Sequence, residues 1–321
     1  MQLLVVIVNY RTADLTIDCL KSLEDEINSI SGAEVSVVEN ASGDNSYDVL
    51  SSAIVDNDWG RWVKLHHPQN NLGFAGGNNF AIRPALESDS PPDYVLLLNP
   101  DTKILPGAIT TLLEFMEQNP DVGIAGSRLQ YPDGTSQVSA FRFPSILGEF
   151  ESMARTGPIT KLLKRWKTAP PCKNMSHSTD WVAGASMIVR TAVFENIGLL
   201  DEMYFMYYEE VDFCFRAKNR NWKVFYYPDS KVIHYIGQAS GVTGSQKKIK
   251  PMPTYWFESR RRYFVKNNGI YYYVFTNIFW ILGYSISKMR NIFNNRDYNY
   301  PPNFFFDFCK NSLMKIKINN D

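Results

Sequence analysis

Residues 3–9 read LLVVIVN, an unbroken apolar run that ends at the polar Asn9. A short run of this kind, rich in β-branched residues, is typical of a strand buried on both faces of a parallel sheet. The run is too short to cross a bilayer, and no basic segment precedes it as in a signal peptide. We therefore predict that it forms a buried strand.

The segments that follow alternate between strand-like and helix-like patterns. Such alternation predicts an α/β fold with a Rossmann-like, mostly parallel sheet flanked by helices. In sheets of this kind, ligands bind beyond the carboxyl ends of the strands. The predicted strands are 3–8, 35–38, 63–66, 94–98, 122–126, 223–227 and 231–234, and the predicted helices are 12–23, 46–55, 80–87, 105–118 and 205–216, with a Gly/Asn-rich turn at 70–79.

The charge of the chain restricts its partners. With 33 basic and 33 acidic side chains the net charge is +0, which argues against a nucleic-acid-binding protein because such proteins are basic. Basic residues nonetheless outnumber acidic ones from 247 to 296, a pattern that suits an anionic ligand or lipid. The basic residues there are Lys247, Lys248, Lys250, Arg260, Arg261, Arg262, Lys266, Lys288, Arg290 and Arg296.

Residues 270–286 are almost wholly apolar and aromatic and carry no charge. The segment is slightly short for a transmembrane helix and is rich in tyrosine, which favours membrane interfaces. We favour a helix on a membrane surface over packing in a core or dimer interface, and both over a true span. The four scattered cysteines suit a reducing compartment, so we expect a cytoplasmic protein, with the inner face of the cell membrane as the alternative position.

Three carboxylates lie within four residues, at Glu209, Glu210 and Asp212. Carboxylates this close raise one another's pKa values, a cost that suggests use as a general base or beside a cation. The alternative is a solvent-exposed acidic helix face, which the flanking aromatic residues disfavour. On a helix, Glu209 and Asp212 share a face and Glu210 points elsewhere.

Polar residues also follow other predicted strands. Asp101 comes just after strand 94–98, where it could cap a turn or hold Mg²⁺ on a diphosphate; taken alone, capping is the better interpretation. His234 ends a later strand, and a lone histidine is more often structural than a transition-metal ligand. The glycines of residues 71–79, NLGFAGGNN, allow close backbone approach before a helix N-terminus that favours phosphate, with an ordinary turn as the alternative.

Together these segments resemble the family 2 glycosyltransferases of the GT-A fold, with the closest likeness to bacterial rhamnosyltransferases of cell-surface polysaccharide assembly. The likeness covers residues 3–265. It rests on the order and spacing of several segments: VIVNYRTADLTIDCLKSL, VVENASGDNS, NNLGFAGGNN, LLLNPD, and WVAGASMIVRTAVFENIGLLDEMYFMYYEEVDFCFR. It implies a GT-A domain over residues 1–245, with a donor half (1–130) and an acceptor half (131–245), followed by a basic, aromatic-rich helical region over 246–321.

The resemblance also implies roles for individual residues. Glu39 would contact the nucleotide base, Asp101 would hold Mg²⁺ or Mn²⁺ with help from His234, and Glu210 would be the general base. The implied donor-binding residues are Val8, Asn9, Glu39, Asn71, Gly73, Gly77, Asn79 and Asn99. The implied reaction is a single inverting displacement, in which the base takes a proton from a hydroxyl of a saccharide or lipid-linked saccharide acceptor. The implied donor is dTDP-rhamnose or a UDP-sugar, and the metal would stabilise the leaving diphosphate.

The chain departs from the family pattern at three of these positions. Glu39 and Glu210 each replace the usual Asp and add one methylene, so the role of base could pass to Glu209 or Asp212. Asn99 stands where the family has the first carboxylate of its metal site, which weakens the implied site.

Two other functions stay open. A sugar-nucleotide nucleotidyltransferase has a similar sheet, but it carries a Gly-rich, Lys/Arg-bearing loop after the first strand, where this chain has Asn9-Tyr-Arg-Thr. A catalytically inactive subunit of a polysaccharide assembly complex, which binds nucleotide-sugar without turnover, is suggested by the three departures. No motif identifies the sugar, and a homodimer stays open.

Overall fold

A computed structural model of the chain describes residues 2–235, 250–294 and 300–314. Within them the chain forms two compact units. The first contains residues 2–141, 171–205 and 209–235, and the second contains 142–170, 206–208, 250–294 and 300–314. The sequence assigns 142–170 to the acceptor half, whereas in the structure this segment belongs to the second unit. Lys247, Lys248 and Arg296 lie outside the described residues.

The first unit is built on a nine-stranded sheet with the order β3-β2-β1-β4-β10-β6-β11-β5, in which β8 pairs with β11. The strands β3, β2, β1 and β4 run parallel, as do β6 and β11, while β10, β5 and β8 run antiparallel to their neighbours. The mostly parallel sheet predicted from the sequence is thus confirmed. The strands are β1 (Leu3–Asn9), β2 (Ala33–Glu39), β3 (Val63–His66), β4 (Tyr94–Leu98), β5 (Thr102–Ile104), β6 (Val122–Gln130), β7 (Ala140–Phe141), β8 (His177–Ser178), β9 (Trp181–Val182), β10 (Ser186–Arg190) and β11 (Lys223–His234), of which β7 and β9 form a separate pair.

The helices are distributed over both units. They are α1 (Ala13–Ser29), α2 (Ser46–Asp56), α3 (Gly73–Leu86), α4 (Ala108–Gln118), α5 (Ile146–Ala154), α6 (Gly157–Leu162), α7 (Thr191–Ile197), α8 (Glu209–Lys218), α9 (Thr254–Asn268), α10 (Ile270–Asn294) and α11 (Phe304–Phe308). Single helical turns lie at Trp59–Arg61, Lys164–Trp166 and Cys309–Leu313. Across the described ranges, no helix is both long enough and apolar enough to cross a bilayer.

Several predicted boundaries are wrong; helix α1, for example, ends at Ser29 rather than at 23, and β6 ends at Gln130 rather than at 126. The turn predicted over 70–79 is helical from Gly73, because its glycines let α3 approach β1 closely and tertiary packing outweighs their low helix propensity. The helix predicted from 205 begins at Glu209. The strands predicted at 223–227 and 231–234 are one strand, β11, whose register shifts between Tyr227 and Lys231. Strand β5 was not predicted.

The N-terminus of α4 is capped from another helix. Gly107, at the cap position, has a φ of 80° and no side chain with which to accept hydrogen bonds. The buried carboxylate of Glu26 in α1 accepts them instead, from the backbone N–H groups of Gly107, Ile109 (3.1 Å) and Thr110 (3.1 Å). Because these N–H groups have no partner inside the helix, Glu26 satisfies α4 and ties it to α1.

The second unit is organised around a buried ion pair. Arg260 in α9 is fully buried, and its Nε and Nη2 atoms lie 3.0 and 2.8 Å from Oε2 of Glu149 in α5. Its Nη1 donates to Oδ1 of Asn277 in α10 (2.7 Å), so one guanidinium joins three helices. Helix α10 also crosses α5 closely, since a Cβ at Gly283 would lie 2.6 Å from the carbonyl oxygen of Phe150. Arg260 was counted among the basic residues suited to an anionic ligand or lipid. The structure shows instead that its guanidinium is paired inside the unit.

We expect Arg260→Met to lower the free energy of unfolding by about 3–5 kcal/mol, because it leaves the Glu149 carboxylate partly buried without its cation. The double variant Arg260→Met/Glu149→Met should recover most of that loss, since apolar side chains of similar volume can replace a buried pair. Unfolding in urea measures both, with the exposed Lys310→Met as the control. Equal losses in the single and double variants would contradict this account.

Candidate active site

The carboxyl ends of three strands meet at one edge of the sheet. Asn9 at the end of β1 pairs with Glu39 at the end of β2, and Ile7 pairs with Leu98 at the end of β4. The polar residues that follow these strands, predicted from the sequence to face a ligand, therefore share one edge, as in other open α/β sheets.

The side chain of Asn40, just after β2, holds this edge together. Its Oδ1 accepts from the backbone N–H of Leu72 (3.0 Å), and its Nδ2 donates to the carbonyl of Gly73 (2.9 Å) and to Oδ1 of Asn71 (3.1 Å). Oδ1 of Asn71 also accepts from the N–H of Gly73 (2.9 Å). One buried amide thus fixes where α3 begins relative to β2. No role was assigned to Asn40 from the sequence, because an Asn after a strand looks like any turn residue.

Glu39, the implied base-reading residue, is buried and already hydrogen-bonded. Its Oε1 accepts from the backbone N–H (3.0 Å) and the hydroxyl of Ser42, and its Oε2 lies 2.8 Å from Nδ1 of His67. His67 is half-exposed and its ring lies 5.0 Å from that of Tyr47. A carboxylate oxygen can accept two hydrogen bonds, so Oε2 keeps capacity for a ligand. His67 was missed in the sequence because only the fold brings it to Glu39.

The remaining predicted donor-site residues divide into packing and polar roles. Gly77 allows α3 to touch β1, since a Cβ there would lie 2.8 Å from Cγ1 of Val8, which is half-buried. Oδ1 of Asn9 accepts from Thr12 (3.1 Å) and Thr16 (3.0 Å), and its buried Nδ2 has no hydrogen-bond partner among the described residues. Asn9 therefore still has a donor to offer at this edge.

Asn79 joins α3 to the segment before α8. Its Nδ2 donates to the carbonyl of Leu200 (2.8 Å) and to Oε1 of Glu202 (2.9 Å), and its Oδ1 accepts from the N–H of Leu200 (3.2 Å). The amide of Asn79 is therefore occupied inside the protein, where it positions α3.

Asp101 and His234 meet where β4 and β11 end. Asp101 is buried, and its Oδ1 lies 3.4 Å from Nε2 of His234. The turn that carries Asp101 is held by the backbone of Asn99, whose carbonyl accepts from the hydroxyl of Thr102 (2.7 Å). Asn99 itself is half-buried. The sequence predicted that these two side chains belong to one site, and the fold brings them together.

Gln137 determines the orientation of the His234 ring. Nε2 of Gln137 donates to the carbonyl of His234 (2.7 Å), so Oε1 of Gln137 is the atom that lies 3.2 Å from the ring Nδ1. Because Oε1 can only accept, Nδ1 carries the proton. In a neutral ring, the lone pair of Nε2 then faces a carboxylate oxygen of Asp101. Two facing acceptors require a cation or a proton between them. In metal sites, a ligand histidine usually donates its other ring N–H to a carbonyl or carboxylate, which orients the ring.

The residues present therefore fit a divalent metal. Carboxylate oxygen suits Mg²⁺ and Mn²⁺, and imidazole adds affinity for Mn²⁺. In the part of the chain that the structure describes, no cluster of three or more His, Cys, Asp and Glu side chains could hold a metal. A site with two protein ligands suits a metal that completes its coordination with substrate phosphates and water.

Glu209 and Glu210 open α8 as an acidic pair, in which Glu209 is buried and Glu210 is half-buried. Burial raises the pKa of Glu209 well above its ordinary value, and the charge of Glu210 adds to the rise. Burial also raises the pKa of Glu210 to about 7, even though backbone hydrogen bonds at the start of α8 lower it. Oε2 of each glutamate is buried without a hydrogen-bond partner among the described residues. The two residues before the pair, Tyr207 and Tyr208, both have a φ of 70°, a strained conformation for tyrosine.

Asp212 differs from the two glutamates. It is fully buried, its Oδ1 accepts from the hydroxyl of Tyr204 (3.2 Å) and its Oδ2 from Nε of Arg216 (2.9 Å). Arg216 in turn donates to the carbonyls of Ile197 and Leu199 (2.8 Å). This network favours a structural role for Asp212, although the sequence offered it as an alternative base.

Contacts connect the turn that carries Asn99 and Asp101 to the acidic pair. The N–H of Asn99 donates to the carbonyl of Ala185 (3.0 Å). A Cβ at the neighbouring Gly184 would lie 3.3 Å from the ring of Phe74 in α3 and 3.8 Å from Cβ of Glu210. The N–H of Phe74 donates to the carbonyl of Phe205, just before the pair (2.8 Å). The starts of α3 and α8 therefore flank one short loop, residues 183–185.

Comparisons with known proteins identify the family and the fold of the chain. The family model described as "Glycosyl transferase family 2" matches residues 4–175, slightly more than half of the chain. The N-acetylglucosaminyl-diphospho-decaprenol L-rhamnosyltransferase of Mycobacterium tuberculosis is 32% identical over 153 residues, covering 46% of this chain and 49% of the relative. Rhamnosyltransferase WbbL of Escherichia coli is 30% identical over 171 residues, covering 51% and 61%. The chain thus spans about half the length of the mycobacterial relative.

Two further proteins extend the comparison. The low-salt glycan biosynthesis hexosyltransferase Agl10 of Haloferax volcanii is 29% identical over 219 residues, covering 68% of this chain and 62% of the relative. Mannosyltransferase PcManGT of Pyrobaculum calidifontis, solved in complex with GDP-Man and Mn²⁺, superposes with a TM-score of 0.53 at 13% identity, covering 92% of this chain and 76% of that one. This structural likeness confirms the GT-A fold that the sequence resemblance implied.

We expect Gly73→Ala to lower the free energy of unfolding by about 2–4 kcal/mol, from a disfavoured positive φ and a clash. Gly73 has a φ of 69°, and a Cβ there would lie 2.0 Å from the carbonyl oxygen of Phe205. Gly43 is a matched control, because its φ is also 69° but a Cβ there would meet nothing within 4 Å. Gly43→Ala should therefore cost about 1–2 kcal/mol. Urea unfolding of both measures the difference, and equal losses would exclude the clash.

Proposed function

The chain belongs to glycosyl transferase family 2, and from this premise we propose that it transfers a sugar from a nucleotide-sugar to a saccharide or lipid-linked saccharide, with inversion at the anomeric carbon. The pair formed by Asp101 and His234 carries the proposal, because it is a two-ligand metal site beyond a strand's carboxyl end. The donor is dTDP-rhamnose or a UDP-sugar. Rhamnose is favoured because two of the relatives above are named rhamnosyltransferases.

The donor nucleotide is placed at the ends of β1 and β2. Glu39 accepts from the base through the free capacity of Oε2, while His67 holds that carboxylate in place. The unpartnered Nδ2 of Asn9 supplies a donor nearby. The N–H groups of Leu72, Gly73 and Phe74 at the start of α3 already donate to Asn40, Asn71 and Phe205, so α3 acts on the diphosphate through its helix dipole.

Asp101 and His234 would hold Mg²⁺ or Mn²⁺ together with the donor diphosphate. Such a metal would supply positive charge that stabilises the leaving diphosphate. In this role His234 would offer the lone pair of Nε2, since its Nδ1 donates to Gln137. Asn99 adds no charge, so the site has one carboxylate and relies more heavily on the diphosphate oxygens.

Glu210 is the general base. It accepts the proton of the acceptor hydroxyl, whose oxygen forms the new bond to the anomeric carbon while the bond to the diphosphate breaks. A base works best when its pKa lies near the working pH, and burial brings Glu210 to that range. Gly184 leaves room beside Glu210, since its missing side chain would lie close to Cβ of that residue.

The acceptor is a saccharide carried on a lipid diphosphate. The name of the mycobacterial relative specifies such an acceptor, N-acetylglucosaminyl-diphospho-decaprenol. A lipid-linked acceptor requires the enzyme to work beside a membrane, so we place the reaction at the inner face of the cell membrane.

We expect Asp101→Asn to weaken binding of dTDP or UDP in the presence of Mn²⁺ roughly tenfold or more, because the metal loses its only charged ligand from the protein. Without Mn²⁺ the variant and the natural protein should bind the nucleotide alike. Isothermal titration calorimetry measures both conditions, with the exposed Asp25→Asn as a control of the same chemistry. Equal affinity with and without Mn²⁺ in the natural protein would exclude the metal role.

We expect Glu210→Gln to lower kcat about 10²–10⁴-fold with little change in nucleotide affinity, because it removes the proton acceptor alone. In the natural protein, kcat should rise with pH through about 7, since Glu210 is protonated below that pH and ionised above it. Transfer from radiolabelled dTDP-rhamnose and UDP-sugars to lipid-linked saccharide measures the rate.

Glu209→Gln distinguishes the two candidate bases. A large loss of kcat in this variant, with activity retained in Glu210→Gln, would move the role of base to Glu209. If the natural protein bound a nucleotide-sugar but transferred nothing to any acceptor, the inactive-subunit function would replace the enzyme.

A further inference from the structure

The second unit carries a large positive charge. Its described residues include fourteen Lys and Arg side chains but only four acidic ones, a net charge of +10 in a chain whose total is +0. Two of the four acidic side chains are turned inward: Glu149 binds Arg260, and the buried Glu151 accepts from the hydroxyl of Thr160 (2.7 Å). The Glu149–Arg260 pair leaves the net charge unchanged, so the exposed side chains of the unit are strongly basic and attract anionic surfaces.

Helix α10 of this unit exposes one apolar stripe, in which the exposed Ser285 is the polar member. The stripe consists of Tyr271, Phe275, Ile278, Leu282, Met289 and Ile292, whose spacings of three, four and seven residues place them on one helix face. Tyr271 is 82% exposed and Ile292 is 79% exposed, so the stripe is open at both ends. It runs for most of a 25-residue helix, a length of about 37 Å at 1.5 Å per residue.

The opposite face of α10 already forms the core of the unit. Tyr273 and Trp280 are buried, and the Trp280 ring stacks on Phe308 with centroids 3.7 Å apart. The stripe is thus not needed for folding. Exposed apolar patches of this extent are unusual in proteins that act alone in water, and they mark interaction surfaces. Phe306 and Met314, 75% and 81% exposed, add apolar area in the same unit.

The charge of the unit determines which partner fits the stripe. A second copy would bring two surfaces of net charge +10 together, and the repulsion would oppose pairing. An anionic bilayer supplies both an apolar layer and negative charge. Helix α10 suits it, because the helix contains no acidic residue and its two charged residues are Lys288 and Arg290.

We propose that the second unit binds the surface of an anionic lipid bilayer, with the α10 stripe seated among the lipids and the basic side chains of the unit on their headgroups. The helix would lie in the plane of the membrane, since it is too polar overall to span one. The proposal deepens the proposed function, on which it rests only for the lipid-linked acceptor.

Co-sedimentation of the full chain with lipid vesicles tests the proposal. We expect binding to vesicles of phosphatidylcholine with phosphatidylglycerol, weak binding to pure phosphatidylcholine, and loss of the anionic preference at high salt. The variant Ile278→Glu/Leu282→Glu should bind anionic vesicles roughly tenfold more weakly, because it places two charges at the centre of the stripe. Val55→Glu is the matched control: Val55 is 76% exposed in the first unit, and its substitution should change nothing.

Two further measurements separate a failure of membrane binding from unfolding and from a failure of the proposed reaction. Calorimetric binding of dTDP or UDP by each variant shows that it is folded, and transfer to a water-soluble acceptor tests the proposed reaction without any membrane. Failure of the natural protein to bind anionic vesicles, or equal binding by the stripe variant, would overturn the proposal even if transfer succeeds. A dimer in analytical ultracentrifugation that the stripe variant disperses, with no vesicle binding by the natural protein, would assign the stripe to a second copy.

Discussion

The active edge of the first unit depends on the buried amide of Asn40. An amide offers two donors and two acceptor lone pairs, and this one uses both of its ends to hold the turn that starts α3. A carboxylate in its place can accept but cannot donate, so it would leave the carbonyl of Gly73 buried without a partner, at a cost of about 1–3 kcal/mol. The amide can reach only because Gly77 lets α3 lie against Val8. The position of the helix N-terminus, where we place the diphosphate, follows from this contact.

The candidate site holds ionisable side chains in positions where burial disfavours their charged forms. Asp101 is buried beside the imidazole of His234, and Glu209 and Glu210 share the first turn of α8 with raised pKa values. Such arrangements reduce the stability of the free protein. The effect of pH on stability follows from the pKa of Glu210, which is higher in the folded chain than its ordinary value. Raising the pH toward about 7 therefore ionises a desolvated group and lowers the free energy of unfolding. Buried, poorly satisfied carboxylates are more readily explained by ligand binding and proton transfer than by folding.

The sequence predicted the α/β sheet because buried strands have a strong local pattern, and the parallel pairing of β1 with β2 and β4 is confirmed. It predicted that Asp101 and His234 would meet because strand ends share an edge. It did not predict His67 or Gln137, since both reach the site only through pairings between distant segments. It placed α3 too late, because glycine has low helix propensity and the packing that requires glycine there is tertiary.

The same limit applies to charge. A net charge of +0 excludes a basic surface only if the charge is spread evenly along the chain. Here the described residues of the second unit have a net charge of +10, so the remaining residues of the sequence have a net charge of −10. The sequence suggested a basic C-terminal region, but the fold adds α5, α6 and their basic neighbours to it. It also removes Arg260 from that surface, since its guanidinium is enclosed by Glu149 and Asn277. A surface that attracts anionic lipid is therefore a property of the folded unit, assembled from two separate parts of the chain around one internal ion pair.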